Sequence, residues 1–250
     1  MFNDWFSIGP LTVHGYGVMI AVGILAASWL ATKLCKEYKL DYENIDSFII
    51  FVIVIGYAFS KLTYCLTVFD QFLSDPLSVL GSGGWVVYGG ILGGLLAALI
   101  WCKWKKWKFM DYFQVLMPCV SLAQGFGRIG CLLAGCCYGR ETDSIISVTF
   151  QNSDFAPNHV ALIPTQLYSS ILDFLHFGIL LYIARRKKAD GQVAAFYLIF
   201  YSIGRFVLEF FRGDLIRGSV GSLSTSQFIS LFILAAGIAI LITRTKKKNA

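Results

Sequence analysis

The chain is a succession of apolar runs, each as long as a helix needs to cross a bilayer's hydrocarbon core, about 20 residues. The runs fall at residues 14–34, 45–66, 85–101, 112–131, 166–184, 193–211 and 227–242. Lipid offers no hydrogen-bond partner to a backbone amide, so such runs span as helices. The pattern predicts an all-α polytopic membrane protein, a single bundle of about seven transmembrane helices over residues 1–250. The balance of residues agrees: 56% are hydrophobic, 14% are charged, and mean hydropathy is +0.66. A soluble domain carries about 25% charged residues to wet its surface, so a water-soluble enzyme is excluded. The fourth run is rich in glycine, with Gly125, Gly127 and Gly130 inside it and Gly135 just beyond. That composition predicts close helix contact or a broken helix.

Basic residues set the orientation. Lys33, Lys36 and Lys39 follow the first run, and Lys103, Lys105, Lys106 and Lys108 follow the third. Arg185, Arg186, Lys187 and Lys188 follow the fifth, and Arg244, Lys246, Lys247 and Lys248 follow the seventh. With seven spans all these clusters share one side, which the positive-inside rule makes cytoplasmic. The N-terminus is then outside and the C-terminus in the cytoplasm. The formal net charge of +6 follows from these topology signals and calls for no nucleic-acid partner. Residues 1–11 hold Asp4 and no Lys or Arg, unlike the basic start of a cleavable export signal, so the first span is expected to be retained. The outward loops are residues 67–84, 132–165 and 212–226, and together they predict a small extracytoplasmic cap where a peptide docks.

Six basic residues belong to no cytoplasmic cluster: Lys61, Arg128, Arg140, Arg205, Arg212 and Arg217. An Arg at a bilayer centre costs about 2.5–3.5 kcal/mol on insertion scales, so it faces the bundle interior and an anion there. Snorkelling to an interface suits Lys61, Arg212 and Arg217 better than Arg128 or Arg205. Arg205, Glu209 and Arg212 are spaced four and three apart, which predicts one polar stripe on a helix. One reading is a self-neutralised packing ladder. The other leaves one positive charge in excess, to which Arg128 adds a second guanidinium from another helix. The planar fork of Arg binds phosphate oxygens bidentately, and two intramembrane Arg near the outer leaflet suit a phospholipid headgroup.

The densest unusual segment runs from Gly127 to Arg140 and holds Cys131, Cys136 and Cys137 within seven residues. Zinc normally takes four ligands at C-x2–4-C spacing, and His14 and His159 lie on other segments, so no metal is expected. The three cysteines remain candidates for reactive thiols. His14 opens the first span as a base or an interfacial polar residue. Tyr88 lies between the glycine pairs Gly83–Gly84 and Gly89–Gly90, and Gln166 lies in the Pro164 to Tyr168 segment that starts the fifth span. Asp173 and His176, three apart in one span, are spaced to pair with each other and receive no role.

This combination resembles the prolipoprotein diacylglyceryl transferase family. The likeness is carried by Gly127-Arg128-Ile129-Gly130, by the Gly83 to Gly90 and Pro164 to Tyr168 segments, by Gly204-Arg205-Phe206 through Glu209 to Arg212, and by Ser224 to Gln227, in that family's order and spacing. The resemblance implies transfer of the diacylglyceryl group of phosphatidylglycerol to the lipobox cysteine thiol of exported prolipoproteins, forming a thioether. It places the chain in a bacterial cytoplasmic (inner) membrane, with its site facing the outer leaflet, and implies no metal or organic cofactor. Arg128, Arg205, Glu209 and Tyr88 become the candidate catalytic residues. His14, Tyr16, Lys61, Gly139, Gln166 and Arg212 become candidates for substrate binding. The chain departs from the family pattern at three positions: Tyr88 stands where the family has His, and Cys131 and Cys136 stand where it has Asn and Glu. These departures leave open a paralogous phospholipid-dependent transferase with another acceptor, or a membrane thiol oxidoreductase using Cys131, Cys136 and Cys137. The absence of C-x-x-C counts against the latter. A transporter or lipid-binding protein would be supported by duplicated halves, which the sequence lacks.

Overall fold

The computed structural model describes residues 3–9, 11–186, 191–214 and 218–249. Lys187, Lys188, Arg217 and part of the 212–226 loop lie outside the described residues. In chain order the helices are α1 (Gly15–Glu37), α2 (Ile45–Thr67), α3 (Phe69–Ser74), α4 (Pro76–Gly81), α5 (Val87–Trp104) and α6 (Phe109–Ala134). They continue with α7 (Thr165–Arg186), α8 (Gln192–Glu209) and α9 (Thr225–Asn249). Among the described residues, seven of these are long and apolar enough to cross a membrane; the short α3 and α4 are not. Among the described residues there are also three small two-stranded antiparallel sheets: β1 (Asp4–Ile8) with β2 (Leu11–His14), β3 (Val148–Thr149) with β4 (Ala161–Leu162), and β5 (Ser219–Val220) with β6 (Leu223–Ser224).

Three of the boundaries that differ from the expected runs bear on the candidate residues. His14 ends the β1–β2 hairpin and does not open the first span, which starts at Gly15. The glycine-rich fourth span is one unbroken helix despite Pro118, and it runs on past Cys131 to Ala134. The sixth ends at Glu209, so Arg212 is not on the helix that carries Arg205.

The chain forms two compact units, residues 1–31 with 113–250, and residues 32–112. In the smaller unit α2 packs on α5 through small residues. A Cβ on Gly90 would lie 3.3 Å from the Gly56 carbonyl oxygen, and one on Gly56 would lie 3.1 Å from that of Gly90. Such contacts let helix backbones approach in lipid, where no hydrophobic force drives them together. Lys61 on α2 does not snorkel outward. It is buried, and its Nζ donates to the carbonyls of Ser82 (2.7 Å) and Gly84 (3.3 Å), with the Trp85 ring 4.7 Å away. The loop carbonyls before α5 satisfy the ammonium inside the unit. Tyr88 lies in the first turn of α5 and is partly exposed.

In the larger unit α6 is the common partner of α1, α7 and α8. A Cβ on Gly23 of α1 would meet the Ala123 carbonyl at 3.1 Å, and one on Gly130 would meet Tyr16 Cδ2 at the same distance. Ser170 of α7 donates to the Gly125 carbonyl (2.9 Å), and Ser121 donates to that of Asp173 (2.9 Å). Tyr197 of α8 hydrogen-bonds Gln124 (3.2 Å), and α8 in turn packs along α9. The segment between α6 and α7 has its own small core, in which Phe150, Ala156 and Leu162 are buried against Leu132, Tyr138, Val148 and Val160.

Candidate active site

Helix α6 stops at Ala134 because Gly135 adopts a left-handed conformation (φ +77°) that glycine enters without a Cβ penalty. Two residues on, Cys137 is also left-handed (φ +61°), a conformation uncommon for a residue with a side chain. The double reversal folds Cys136 and Cys137 back over the end of α6. The sulfurs of Cys131, Cys136 and Cys137 all come within 4.8 Å of one another. The start of α7 holds this turn from its backbone side. Thr165 Oγ1 donates to the Cys137 carbonyl (2.9 Å), and Gln166 Nε2 donates to the Cys136 carbonyl (2.9 Å). The other end of the Gln166 amide, Oε1, is buried and accepts no hydrogen bond among the described residues.

Beyond the cysteines, the chain is stitched to the segment that follows α8. Gly139 forms an antiparallel bridge with Arg212, Arg140 N–H donates to the Phe211 carbonyl (2.9 Å), and Gly213 N–H donates to that of Tyr138 (3.0 Å). Both glycines are required by the close approach. A Cβ on Gly139 would lie 2.4 Å from the Ile163 carbonyl oxygen, and one on Gly213 would lie 2.5 Å from that of Gly139. Gly139, expected to bind substrate, is thus found where three backbone segments meet. The bridge also places Arg212, buried rather than snorkelling, in hydrogen-bonding contact with Cys137. Hydrogen bonds from Cys131 and Cys136, and then the Arg212 and Arg128 guanidiniums, hold the Cys137 thiol below the ordinary thiol range. Its hydrogen bonds to Cys131 and Cys137, with burial, push Cys136 above that range.

The expected three-membered stripe is two-membered. Arg205 pairs with Glu209 (2.9 Å) and donates to Ser226 Oγ of α9 (2.8 Å). Arg212 turns away to the carboxylate of Asp214, Nε donating at 2.8 Å to one oxygen and a second guanidinium nitrogen donating to the other. The excess positive charge anticipated on the stripe is therefore offset locally. Arg128 is held more loosely. Its Nε lies 4.0 Å from Asp173 Oδ2 of α7, beyond hydrogen-bond range, and it donates no hydrogen bond to the protein among the described residues. Asp173 does not pair with His176, whose ring stacks on Tyr197 instead, 5.2 Å between centroids.

Arg128, Ser169, Asp173 and Arg205 form the polar end of a cleft of about 300 Å³. The rest of its wall is mainly apolar, with Leu172, Leu175, Ile179 and Phe200. The arrangement offers a guanidinium fork and a greasy channel to one amphipathic molecule. Tyr16 is half-exposed and interacts electrostatically with Arg128 and the three cysteines. His14 is exposed and pairs with Asp4 (2.6 Å). Lys61 and Tyr88 belong to the smaller unit. Sequence reasoning did not assign Asp173, Asp214 or Ser226 to this site. A carboxylate inside an apolar span was a signal for Asp173, and Ser226 lies within the Ser224 to Gln227 segment that carries the family likeness; Asp214 carries no signal without the tertiary fold.

Residues 3–243 match the family model described as prolipoprotein diacylglyceryl transferase. The phosphatidylglycerol–prolipoprotein diacylglyceryl transferase of Clostridium tetani (strain Massachusetts / E88) is 45% identical over 246 residues, covering 97% of this chain and 98% of that protein. Phosphatidylglycerol–prolipoprotein diacylglyceryl transferase 2 of Clostridium perfringens (strain 13 / Type A) is 42% identical, covering 91% and 90%. A namesake from Dehalococcoides mccartyi (strain ATCC BAA-2266 / KCTC 15142 / 195) is 31% identical, covering 98% and 94%.

Proposed function

Because the chain belongs to the prolipoprotein diacylglyceryl transferase family, we propose that it moves the diacylglyceryl group of phosphatidylglycerol to the lipobox cysteine thiol of an exported prolipoprotein. The observation that carries this reading to the residues is Arg128. Its guanidinium stands at the polar end of an apolar cleft with its hydrogen-bond donors unused by the protein among the described residues. A phosphodiester satisfies that fork with two oxygens, while the acyl chains run along Leu172, Leu175 and Ile179.

In the transfer, the acceptor sulfur attacks the glyceryl methylene carbon bonded to the phosphate oxygen. The S–C bond forms as the C–O bond breaks, and the electron pair leaves with the phosphoglycerol. The acceptor's thiol proton is released to solvent. Negative charge grows on the departing phosphate, and donors already aimed at that position stabilise the transition state more than the ground state. Arg128 and Arg205 supply them, with Glu209 and Ser226 holding Arg205 in place. Family likeness assigns Arg212, Tyr16 and Gln166 to substrate binding; Tyr16 interacts electrostatically with Arg128 of the cleft, and Arg212 with Arg205. The distribution of Lys and Arg supports an outward N-terminus in a bacterial cytoplasmic membrane and a site at the outer leaflet.

The test is turnover of a synthetic lipobox peptide by the purified chain in vesicles containing phosphatidylglycerol, read as the mass of the thioether product. Product with wild type and its loss in Arg128→Ala and Arg205→Ala are expected. Undiminished product in both variants overturns the assignment of the phosphate to these residues.

A further inference from the structure

Diacylglyceryl transfer by the arginines gives no task to the three sulfurs, which the fold nevertheless gathers at one point. They come from the last turn of α6 and the two residues after Gly135, and Cys137 is held in a left-handed backbone to bring its sulfur back to the others. Their mutual separations lie within 4.8 Å. A metal–sulfur bond of about 2.3 Å in a planar trigonal site puts sulfurs about 4 Å apart, so a small closure of this triangle suffices. Among the described residues no fourth His, Cys, Asp or Glu joins the group. Zinc, which takes four ligands in structural sites, is therefore less suited than a soft ion content with three.

We propose that Cys131, Cys136 and Cys137 form a trigonal thiolate site for a soft monovalent cation of the copper(I) class. The supporting shell is already built. Thr165 and Gln166 of α7 anchor the carbonyls of Cys137 and Cys136, which fixes where the sulfurs point. The Arg128 and Arg212 guanidiniums, which interact with Cys137, offset the negative charge of thiolate ligands. Binding forms three metal–sulfur bonds, releases the thiol protons to solvent and changes no oxidation state. A bound ion would staple the end of α6 to the turn that follows, so it would raise the stability of the occupied protein.

The experiment is an anaerobic titration of the purified, reduced full chain with copper(I) held by a chromogenic copper(I) chelator. One equivalent should pass from chelator to wild-type protein. None should pass to the triple variant Cys131→Ser/Cys136→Ser/Cys137→Ser, and a Cys65→Ser control should still take one. A second measurement needs no variant: in wild type, copper(I) should slow alkylation of Cys131, Cys136 and Cys137 about tenfold or more by peptide mass analysis, and leave Cys65 unchanged. Copper remaining with the chelator, uptake retained by the triple variant, or equal alkylation with and without copper overturns the site.

Discussion

Arg128 of α6 and Asp173 of α7 face each other across the cleft at 4.0 Å, near enough to attract and too far to share a hydrogen bond. The carboxylate balances the guanidinium without occupying its donors. A phosphate entering the cleft can take those donors while Asp173 remains the counter-ion. Replacing Arg128 by Lys keeps the charge and removes the planar fork. Loss of one preorganised donor at a developing anion costs on the order of 10²–10³ in kcat. We expect Arg128→Lys to lower kcat/KM for phosphatidylglycerol by about 100-fold in the vesicle assay.

Asp173→Asn removes the counter-charge and keeps the shape. Arg128 then attracts an anion more strongly, so the apparent KM for phosphatidylglycerol should fall. The same change leaves a partly buried guanidinium uncompensated, which lowers thermal stability by about 1–2 kcal/mol, less than for a fully buried pair because the Arg128 and Asp173 side chains keep 26% and 15% of their surface exposed. Lipid dependence of the rate and a thermal melt check the two effects separately.

Ser226 of α9 is the second partner of Arg205 and ties α8 to α9 at the polar end of the cleft. A hydrogen bond to a charged group contributes about 1.5–3 kcal/mol. Ser226→Ala should therefore reduce turnover by roughly tenfold while leaving the Arg205–Glu209 pair in place. In an Arg205→Ala background the serine has nothing left to hold, and adding Ser226→Ala should change turnover little. Equal effects in both backgrounds would sink the idea that Ser226 acts through Arg205.

Gly139 and Gly213 carry a purely steric prediction. A Cβ at either would enter a neighbouring carbonyl at 2.4 or 2.5 Å, and backbone cannot move aside as a flexible side chain does. Overpacking of this kind costs about 1–3 kcal/mol. Gly139→Ala and Gly213→Ala should each lower the melting temperature, whereas Gly178→Ala on α7, with nothing within 4 Å, should not. Turnover should fall with the first two, because the bridge between Gly139 and Arg212 sets the position of the Arg212 side chain.

How much of this was readable in advance depended on the range of the interaction. Helix-length apolar runs and an i, i+4 pair such as Arg205 with Glu209 are local, and both are present in the structure. The pair does not extend to Arg212, because α8 ends at Glu209 and the chain then turns to pair with Gly139, a contact far away in sequence. For Lys61, near the end of its apolar run, snorkelling to an interface is the expectation from sequence. The carbonyls of Ser82 and Gly84 that satisfy it lie more than twenty residues away in sequence.

The sequence by itself determined a membrane protein of seven apolar helices and the family to which it belongs, since hydropathy and ordered motifs survive without a fold. The i, i+4 pairing of Arg205 with Glu209 belongs to the same local class, whereas only the tertiary structure decided that Asp173 answers Arg128 and Asp214 answers Arg212. It also decided that three cysteines from a helix end and a turn share one point in space. These outcomes depend on backbone reversals at Gly135, Cys137 and the end of α8, which bring side chains together at distances of a few ångströms that residue spacing does not encode.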